Sequence, residues 1–559
     1  MQRYLQMKFI TDFLTDKESP ARKDLGFILI VFGVAFFQFL GHNPLFEPDE
    51  ARYAEIPREM LERGDFITPL LNHVKYFEKP PLLYWLNALS FSLFGRNEFA
   101  ARFACAMAGL LTVLITYHIG RTLFGRREGL FAALILGSST GFLIQGRINL
   151  TDMLVTFCMT ACLGCFAIAV RDDEPRRGLY CYLGYIFAAL AVLAKGLIGI
   201  VFPGAVIFLY LLLGKRWRLL KEMRLATGTI LFLLISAPWF ILVSQRNPEF
   251  AWFFFIHEHF ERFLTKVHGR YEPIWFFIPV LLGTMIPWSF FIPTGLKGVW
   301  RERFSVTGRQ ALYLAIWAIF IFAFFSKSDS KLVPYILPVF PPLALLMGRA
   351  FVRQLDGPDR LMRIEGYVLS VVLTILGVGV CIYPLLPQAR DVTPLSGLVV
   401  GSIFLVEGVA VFAMNRRGAL AALFVSLCFC SYLLELAGPL TIMNDVAPTR
   451  STKELSLIVR EKAGPDAIIA SFGHEQGLPF YTQRRVITVG GMGELEFGSK
   501  QGDQSAWFID AQQFSRIWDG PKPVFLLFRL TDVDGFRSLV KTPIRELART
   551  GKKVLVTNR

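Results

Sequence analysis

The sequence predicts a polytopic α-helical membrane protein with about thirteen transmembrane helices, followed by a C-terminal α/β domain. Of its 559 residues, 53% are hydrophobic and only 18% are charged, and the mean hydropathy is +0.47. These values exclude a soluble globular protein. Apolar runs of about twenty residues recur along the chain, and each is long enough to cross roughly 30 Å of hydrocarbon as a helix.

Thirteen apolar runs are predicted to span the membrane. They cover approximately residues 25–41, 104–120, 129–146, 153–170, 179–194, 197–213, 226–244, 275–294, 311–325, 335–348, 366–384, 397–414 and 419–437. Lysine and arginine are concentrated at alternate ends of successive spans, which by the positive-inside rule places those loops and the N-terminus in the cytoplasm. The odd number of spans places the C-terminal domain on the outer side of the membrane, opposite the N-terminus. The net charge of +15 is therefore a topology signal, and nucleic acid is not an expected partner.

The first long loop on the outer side, about residues 42–103, is rich in charged residues. Asp49 is a suitable N-cap for a helix, and Gly64 is a suitable helix end. The apolar residues between them recur at helical spacing, which predicts an amphipathic helix lying along the membrane surface. Pro57 falls inside this pattern and predicts a kink or a break. The loop is therefore expected to contain surface helices on the outer side of the membrane.

Residues 441–559 alternate between short apolar strands and polar helices. Strands are predicted near 468–470, 485–489, 524–528 and 554–556, and helices near 451–462, 511–518 and 537–549. This alternation predicts a small, partly parallel sheet. The segment contains no glycine-rich phosphate loop and no nucleophile elbow, so we assign it no chemistry. The predicted division is a transmembrane domain over 1–440 and a soluble domain over 441–559.

Three acidic residues stand at predicted helix starts on the outer side, namely Asp49, Glu50 and Asp152. Each carboxylate could cap its helix and interact favourably with the helix dipole. Alternatively, a carboxylate here could orient an incoming nucleophile or accept its proton. Asp49 and Asp152 come from separate parts of the chain but from the same predicted membrane level. That agreement favours a shared site.

Seven basic residues lie on the same predicted side, where the positive-inside rule gives no reason for them. They are Arg52, Lys79, Arg147, Lys195, Arg262, Lys327 and Lys331. Snorkelling of the side chain towards water explains any one of them. Together they favour a phosphate-binding cluster, because guanidinium and ammonium groups are the usual partners of phosphate. An apolar pocket with a cationic rim suits the phosphate of a lipid.

The predicted outer loop around residue 257 contains two histidines, His257 and His259. Together with Glu78, they could supply nitrogen and oxygen ligands to a divalent, zinc-like ion. Their spacing matches no closed structural zinc site, so two ordinary loop histidines are the alternative. No other cofactor is predicted.

Several motifs are distributed over almost the whole chain. They are Pro48-Asp49-Glu50-Ala51-Arg52-Tyr53-Ala54-Glu55-Ile56, Gly64-Asp65, Tyr76-Phe77-Glu78-Lys79-Pro80, Asp152, Ala194-Lys195-Gly196, Glu258-His259 with Arg262-Phe263, and Lys331-Leu332 with Pro334-Tyr335-Ile336-Leu337. With them, the chain resembles the GT-C glycosyltransferases that use polyprenyl-phosphate sugars. It most resembles the lipid A 4-amino-4-deoxy-L-arabinose transferases, which are related to the protein O-mannosyltransferases. Gly493-Glu494-Leu495 with Phe497-Gly498 carries a weaker resemblance to the same enzymes.

The resemblance implies a glycosyltransferase of the bacterial inner membrane. The implied donor is undecaprenyl phosphate carrying a sugar, best matched by 4-amino-4-deoxy-L-arabinose. The implied acceptor lies in the outer leaflet, such as a lipid A phosphate. The resemblance implies inversion at the anomeric carbon. It also implies that the outer side is the periplasm, so that the first loop, about residues 42–103, and the domain over 441–559 are periplasmic. The implied catalytic residues are Asp49 and Asp152, and the implied donor-phosphate ligands are Arg52, Lys79, Arg262, Lys195 and Tyr335. Further candidates for the site are Glu50, Tyr53, Arg147 and Lys331. The chain has Ala194 where relatives carry threonine before the lysine and glycine, which leaves the identity of the sugar open.

Two alternatives stay open at this point. The same donor chemistry could serve another acceptor, such as a protein hydroxyl or another glycan. A transporter of lipid-linked sugars is a different class of protein, and the many spans with polar residues among them favour it. Against a transporter, the charges lie at the outer ends of the spans instead of mid-bilayer, and the two halves show no inverted repeat.

Overall fold

The structure, a computed structural model, describes residues 20–261, 272–302, 305–355, 357–387, 389 and 391–559. In chain order, the helices are α1 (Ala21–Phe37), α2 (Asp49–Arg63), α3 (Leu82–Phe94), α4 (Glu98–Leu123), α5 (Arg126–Gly137), α6 (Thr140–Gly146), α7 (Thr151–Ala169), α8 (Arg177–Lys195), α9 (Ile198–Leu213), α10 (Leu225–Arg246), α11 (Phe277–Thr284), α12 (Ile292–Glu302), α13 (Val306–Lys327), α14 (Phe340–Gln354), α15 (Arg360–Ile382), α16 (Pro394–Arg416), α17 (Leu420–Ala437), α18 (Ile442–Arg450), α19 (Lys453–Lys462), α20 (Gly477–Thr482), α21 (Glu496–Ser499), α22 (Ala511–Trp518) and α23 (Val533–Arg537). A π-helix covers Trp252–Glu261, and 3₁₀ turns that matter for the site cover Val333–Val339 and Gly493–Leu495.

The predicted polytopic helical architecture is confirmed. Within the described ranges, nine helices are long and apolar enough to cross a membrane, or eleven if each of two bent pairs counts as one span. The shorter helices α1 and α9, of 17 and 16 residues, coincide with two further predicted spans. All thirteen predicted apolar runs are therefore helical over most of their length. Length and hydropathy were enough to find them because a chain in hydrocarbon must satisfy its backbone groups internally.

Two of the predicted spans are bent instead of straight. Helices α5 and α6 meet at 68° across Ser138 and Ser139, and α11 meets the helical segment Trp288–Trp300 at 112°. Pro287 lies in the second break, and its nitrogen has no hydrogen to donate to the preceding turn. The indole of Trp288 donates to the hydroxyl of Ser138 over 2.9 Å, so the two breaks are in contact.

By internal contacts the chain divides into two compact units. One contains the residues up to Gln38 together with Cys105–Thr441, and the other contains Phe39–Ala104 together with Ile442–Arg559. In the first unit, α7 is buried on nearly every side and packs against α8 and the 3₁₀ turn Val333–Val339. The ends of these three elements carry three of the predicted site residues.

In the second unit, residues 442–559 form the predicted small, partly parallel sheet. Its strands are β3 (Ile468–Phe472), β4 (Ile487–Val489), β5 (Phe508–Ile509), β6 (Val524–Arg529), β7 (Arg545–Thr550) and β8 (Lys553–Thr557), after a short hairpin β1 (Leu70–Leu71) and β2 (Val74–Lys75) in the first loop. The order across the sheet is β5-β4-β3-β6-β8-β7. The pairs from β5 to β6 are parallel, and those that include β8 are antiparallel.

The four predicted strands are present, and the predicted helices at 451–462 and 511–518 are present as α19 and α22. The helix predicted over 537–549 is wrong, because residues 545–550 form the edge strand β7. The residues of this strand are mostly polar and partly exposed, so they give no apolar strand signal. Pairing with β8, across a turn in which Gly551 has φ +58°, decides the conformation instead of local propensity.

Residues 39–104 are held to the sheet-bearing residues of the same unit by buried hydrogen bonds. The side chain of Asn72 pairs with the backbone of Val486, donating to its carbonyl over 2.8 Å and accepting from its amide over 2.9 Å. The carboxylate of Glu47 accepts from the hydroxyl of Thr452 over 2.9 Å and from the amide of Gly477 over 2.8 Å. These bonds fix the first loop within the unit instead of leaving it as a free connection.

Helix α2 begins at Asp49 and runs to Arg63, with Gly64 at φ +65° ending it as predicted. It continues through Pro57 without a break. The residues from Glu50 to Met60 are all buried, in contrast to the one exposed side of an amphipathic surface helix. The buried Arg58 is compensated within the helix, because its guanidinium donates twice to Glu55, over 2.6 and 2.7 Å.

Candidate functional site

The first cluster of predicted site residues surrounds Arg52, in the second unit. The guanidinium of Arg52 forms ion pairs with Asp49 and Glu494, and the residue is only 7% exposed. Its central carbon lies 5.0 Å from the ring centre of Tyr53 and 5.9 Å from that of Tyr76. We call these five residues the Arg52 cluster. Burial lowers the pKa of Arg52, but Tyr76, Tyr53 and Asp49 outweigh this effect and raise it above its ordinary value, so the guanidinium stays charged.

Local structure explains how the members of the Arg52 cluster meet. Asp49 and Arg52 are three residues apart on α2, so their side chains share one face of the helix. Glu494 lies in the 3₁₀ turn Gly493–Leu495 and is oriented by Gln476, whose amide donates to it over 2.8 Å. Charge patterning did not identify Glu494, although the weak resemblance of residues 493–495 to the aminoarabinose enzymes pointed to this segment.

The two adjacent acids at the start of α2 have different partners. Pro48 stands at the N-cap position, so Asp49 is the first residue of the helix, and its half-exposed carboxylate binds Arg52. Glu50 is 1% exposed and accepts two hydrogen bonds of 2.7 Å from Arg102. Arg102 also donates to the carbonyls of Leu40, Asn43 and Pro44. These contacts give Glu50 a structural role in holding the first loop.

Replacing Glu50 with glutamine is expected to lower the stability of the protein by about 3–5 kcal/mol, because it leaves the buried Arg102 guanidinium without its counter-charge. Thermal unfolding of the purified protein in detergent measures the change. A matched control is Glu496→Gln, which removes the exposed pair with Lys500 and is expected to change stability by less than about 0.5 kcal/mol. An unfolding temperature for Glu50→Gln equal to that of the control would contradict the structural role.

The second cluster lies in the first unit and contains Asp152, Lys195 and Tyr335. Asp152 is in the first turn of α7, and its carboxylate forms an ion pair with Lys195, the last residue of α8. Both side chains are about nine-tenths buried, and the ammonium of Lys195 lies 4.4 Å from the ring centre of Tyr335. We call these three residues the Asp152 cluster. Leu150 occupies the N-cap position, so helix capping does not account for Asp152.

The Asp152 cluster holds a paired ammonium group in a fixed position. Burying an ammonium is unfavourable unless it is paired, and the carboxylate of Asp152 together with the face of Tyr335 provides that partner and orients Lys195. Gly196, at φ +87°, ends α8 immediately after Lys195 and so places the lysine at the helix terminus. An ammonium group that is already desolvated and held in place needs little reorganisation to interact with a phosphate.

The chain is similar to known proteins over nearly its whole length. Residues 78–242 match the family model of dolichyl-phosphate-mannose-protein mannosyltransferases, and residues 455–558 match that of the aminoarabinose transferase C-terminal domain. The undecaprenyl phosphate-α-4-amino-4-deoxy-L-arabinose arabinosyl transferase of Pectobacterium carotovorum is 31% identical over 504 residues, which cover 87% of this chain and 88% of that relative. The chain belongs to this family of arabinosyl transferases.

Further comparisons agree with this assignment. A relative from Pseudomonas fluorescens with the same description is 30% identical over 88% of this chain and 89% of its own length. The crystal structure of ArnT from Cupriavidus metallidurans bound to undecaprenyl phosphate has a TM-score of 0.83 and 29% identity, covering 97% of this chain and 99% of that one. The archaeal oligosaccharyltransferase AglB of Archaeoglobus fulgidus, at 14% identity and a TM-score of 0.53, shares the fold. The protein is therefore a multi-span membrane glycosyltransferase of the GT-C fold, as the sequence predicted.

Two other predicted cations of this arabinosyl transferase have protein partners. Arg147 forms an ion pair of 2.5 Å with Glu435 and donates to the carbonyls of Ala35 and Gln38. The ammonium of Lys331 donates to the carbonyls of Ser328 and Glu272 over 2.5 and 2.7 Å. These contacts account for both cations without a substrate. Among the remaining candidates, Lys79 donates to the carbonyl of Glu78 over 2.9 Å, Lys327 is exposed at the end of α13, and Arg262 lies outside the described residues.

The predicted metal ligands show a different environment. The ring of His257, on the π-helix, is stacked on Phe253 at 5.1 Å and lies 3.6 Å from the carboxylate of Glu258. The side chain of His259 lies outside the part of the chain that can be described. Within the described part, no group of three or more His, Cys, Asp or Glu side chains could hold a metal ion. The metal site at Glu78, His257 and His259 stays a prediction.

Proposed function

We propose that this protein transfers 4-amino-4-deoxy-L-arabinose from undecaprenyl phosphate to a phosphate of lipid A, with inversion, on the periplasmic face of the bacterial inner membrane. The observation that carries the proposal is the identity of 31% with an undecaprenyl phosphate-α-4-amino-4-deoxy-L-arabinose arabinosyl transferase over 88% of that relative's length. The similarity to ArnT bound to undecaprenyl phosphate supports the same donor. Under this proposal, the N-terminus is cytoplasmic and residues 442–559 are periplasmic.

In the proposed reaction, an oxygen of the acceptor phosphate attacks the anomeric carbon of the sugar. The bond between that carbon and the donor phosphate oxygen breaks, and undecaprenyl phosphate leaves with the electron pair. Negative charge therefore develops on the leaving phosphate, where cations have the largest effect on the rate. We assign four basic residues to this role on the resemblance, namely Arg52, Lys79, Lys195 and Arg262.

The carboxylates beside these cations serve two purposes in the proposal. They provide ion-pair partners for the buried side chains of Arg52 and Lys195, and they orient the guanidinium and the ammonium before substrate arrives. The guanidinium of Arg52 is planar and has several N–H donors. It can therefore exchange one of its two carboxylate partners, Asp49 or Glu494, for a phosphate and keep the other. The acceptor phosphate is ionised at neutral pH, so the reaction needs no strong base. Asp49 then orients the substrate instead of removing a proton.

Purified protein in detergent, incubated with labelled undecaprenyl phosphate–aminoarabinose and lipid A, is expected to yield modified lipid A without any membrane gradient. Mass spectrometry of the lipid A identifies the product and the phosphate that carries it. Transfer to a protein or to another glycan, with lipid A unchanged, would replace the acceptor in the proposal. Movement of the donor across vesicle membranes without any transfer would indicate the transporter class instead.

If Asp49 orients the substrate, replacing it with asparagine is expected to lower kcat about tenfold and to leave the pH dependence of kcat unchanged. The physical reason is that asparagine keeps a hydrogen-bonding oxygen at the same place. The measurement is kcat from pH 6 to 9, with Asp534→Asn as the control, since Asp534 is 93% exposed. If kcat of Asp49→Asn falls a thousandfold or more, and the variant lacks the activity that the wild type shows on the alkaline side, Asp49 is a general base instead.

A further inference from the structure

Five buried polar atoms near Arg52 have no hydrogen-bond partner among the described residues. They are Nε of Arg52, the hydroxyls of Tyr76 and Tyr84, and both ring nitrogens of His474. Tyr76 is 2% exposed and Tyr84 is fully buried. Leaving a buried donor or acceptor unpaired is unfavourable, and folded proteins contain few such atoms. Several of them in one place therefore favour a ligand whose polar groups pair with them.

Contacts within the second unit connect these residues to the Arg52 cluster. The ring of Tyr84 is stacked on that of Tyr53 at 6.1 Å and 28°, and Tyr53 lies against Arg52. On the other side, Arg52 binds Glu494, and Glu494 accepts from the amide of Gln476. His474 lies two residues before Gln476, after the turn at Gly473, which has φ +71° and whose amide donates to the carbonyl of Val489 over 2.9 Å. The hydrogen bond from Gln476 to Glu494 holds this segment of the chain beside the cluster.

We propose that Tyr76, Tyr84 and His474 form a subsite of the Arg52 cluster that binds the sugar ring of the lipid-linked donor. The proposal rests on the proposed function for the identity of that donor. It assigns to the C-terminal part of the chain a direct role in recognising substrate, through His474. The sequence alone gave that part no chemistry.

The chemical character of the three side chains favours a sugar over a phosphate. Burial raises the pKa of Tyr84, and burial together with the charge of Arg52 lowers the pKa of His474 to about 3. Both side chains are therefore neutral at physiological pH. A phosphate is bound chiefly by cations, whereas neutral hydroxyl and imidazole groups, which both donate and accept, match sugar hydroxyls. The stacked rings of Tyr53 and Tyr84 add the apolar wall that is typical of small-molecule sites.

The Tyr84→Phe variant tests the subsite, because it removes only the unpaired hydroxyl. We expect the affinity for the sugar-bearing donor to fall about fivefold to tenfold, which corresponds to one lost hydrogen bond. The affinity for undecaprenyl phosphate, which lacks the sugar, is expected to stay unchanged. The unfolding temperature is expected to stay the same or to rise, since no protein partner is lost. Titration calorimetry with each lipid in the absence of acceptor, followed by thermal unfolding, gives the three values.

A matched control is Tyr481→Phe in the same unit. The hydroxyl of Tyr481 accepts from the amide of Leu45 over 2.9 Å and donates to Glu98 over 3.1 Å. This control is expected to lower the unfolding temperature and to leave both affinities unchanged. Equal losses of affinity for the two lipids in Tyr84→Phe, or no loss for either, would overturn the sugar subsite. So would a fall in the unfolding temperature of Tyr84→Phe that matches the fall in the control.

Substitutions at His474 test the contribution of the C-terminal part of the chain. His474→Leu is expected to weaken binding of the sugar-bearing donor by about tenfold, and His474→Gln, which keeps hydrogen-bonding groups, is expected to recover part of that loss. His42→Leu is the control, because His42 is exposed in the same unit. Unchanged donor affinity in His474→Leu would remove His474 from the subsite. Since binding is measured without acceptor, a wild type that binds this donor but modifies no lipid A would contradict the proposed function alone.

Discussion

Replacing Lys195 with alanine is expected to lower kcat/KM for sugar transfer by about 10²–10³-fold, the loss typical of removing one preorganised charge from a transition state. The ammonium of Lys195 is buried, paired with Asp152 and held against Tyr335. Under the proposed function, it stabilises the charge on the departing undecaprenyl phosphate. The loss is expected in kcat more than in KM, since that charge is larger in the transition state than in the bound donor.

The same substitution also removes the counter-charge of Asp152, so stability must be separated from catalysis. Lys195→Ala alone is expected to cost about 3–5 kcal/mol of stability, because a buried carboxylate is left unpaired. The double variant Lys195→Ala with Asp152→Ala removes both charges and is expected to recover most of the unfolding temperature. Its transfer activity is expected to stay low. Recovery of activity together with stability would show that Lys195 is only a structural partner of Asp152.

Replacing Arg52 with methionine is expected to lower kcat/KM by about 10²–10³-fold as well. The guanidinium joins Asp49 of the first loop to Glu494 of the C-terminal residues, so one change removes a cation and separates two carboxylates. Arg52→Lys keeps the charge but lacks the planar fork that serves two carboxylates at once. We therefore expect Arg52→Lys to recover less than about tenfold of the lost activity.

Steady-state kinetics with labelled donor and lipid A measure both Arg52 variants. Arg63→Met at the end of the same helix is the matched control, because Arg63 is more than one-third exposed and lies 3.8 Å from its partner Asp65. That control is expected to keep full activity. An Arg52→Met variant that folds and retains more than about one-tenth of the wild-type activity would exclude Arg52 from phosphate stabilisation.

The family, the helical architecture and the positions of the apolar helices followed from the sequence. A transmembrane helix is signalled by its own composition, so α7, α10 and α16 are recognisable one at a time. The central strands β3 and β6 were predicted for a similar reason, since each is a short apolar run. The bend at Pro287 and the edge strand β7 were not predicted, because packing and strand pairing decide them.

The roles of the charged residues depend on the tertiary structure. Asp49 and Glu50 are adjacent acids that pattern alone cannot separate, yet one binds Arg52 at a half-exposed position and the other is buried against Arg102. Likewise, Arg147 and Lys195 are both cations at predicted outer helix ends, but one partner is Glu435 and the other is Asp152. Apart from Arg52, which lies three residues from Asp49, each partner is distant in sequence, and no local signal encodes that choice.

By itself, then, the sequence determined that this chain crosses a membrane many times and carries the motifs of a lipid-linked glycosyltransferase. The length of an apolar segment and the presence of a short motif are local properties, so both can be recognised without knowledge of the fold. Only the tertiary structure decided which acids neutralise which cations, and that Glu494 lies beside Arg52. The strength and the cost of a buried charge depend on its neighbours in space, and folding brings some of these neighbours from far along the chain, as with Glu494 and Arg52, which are 442 residues apart.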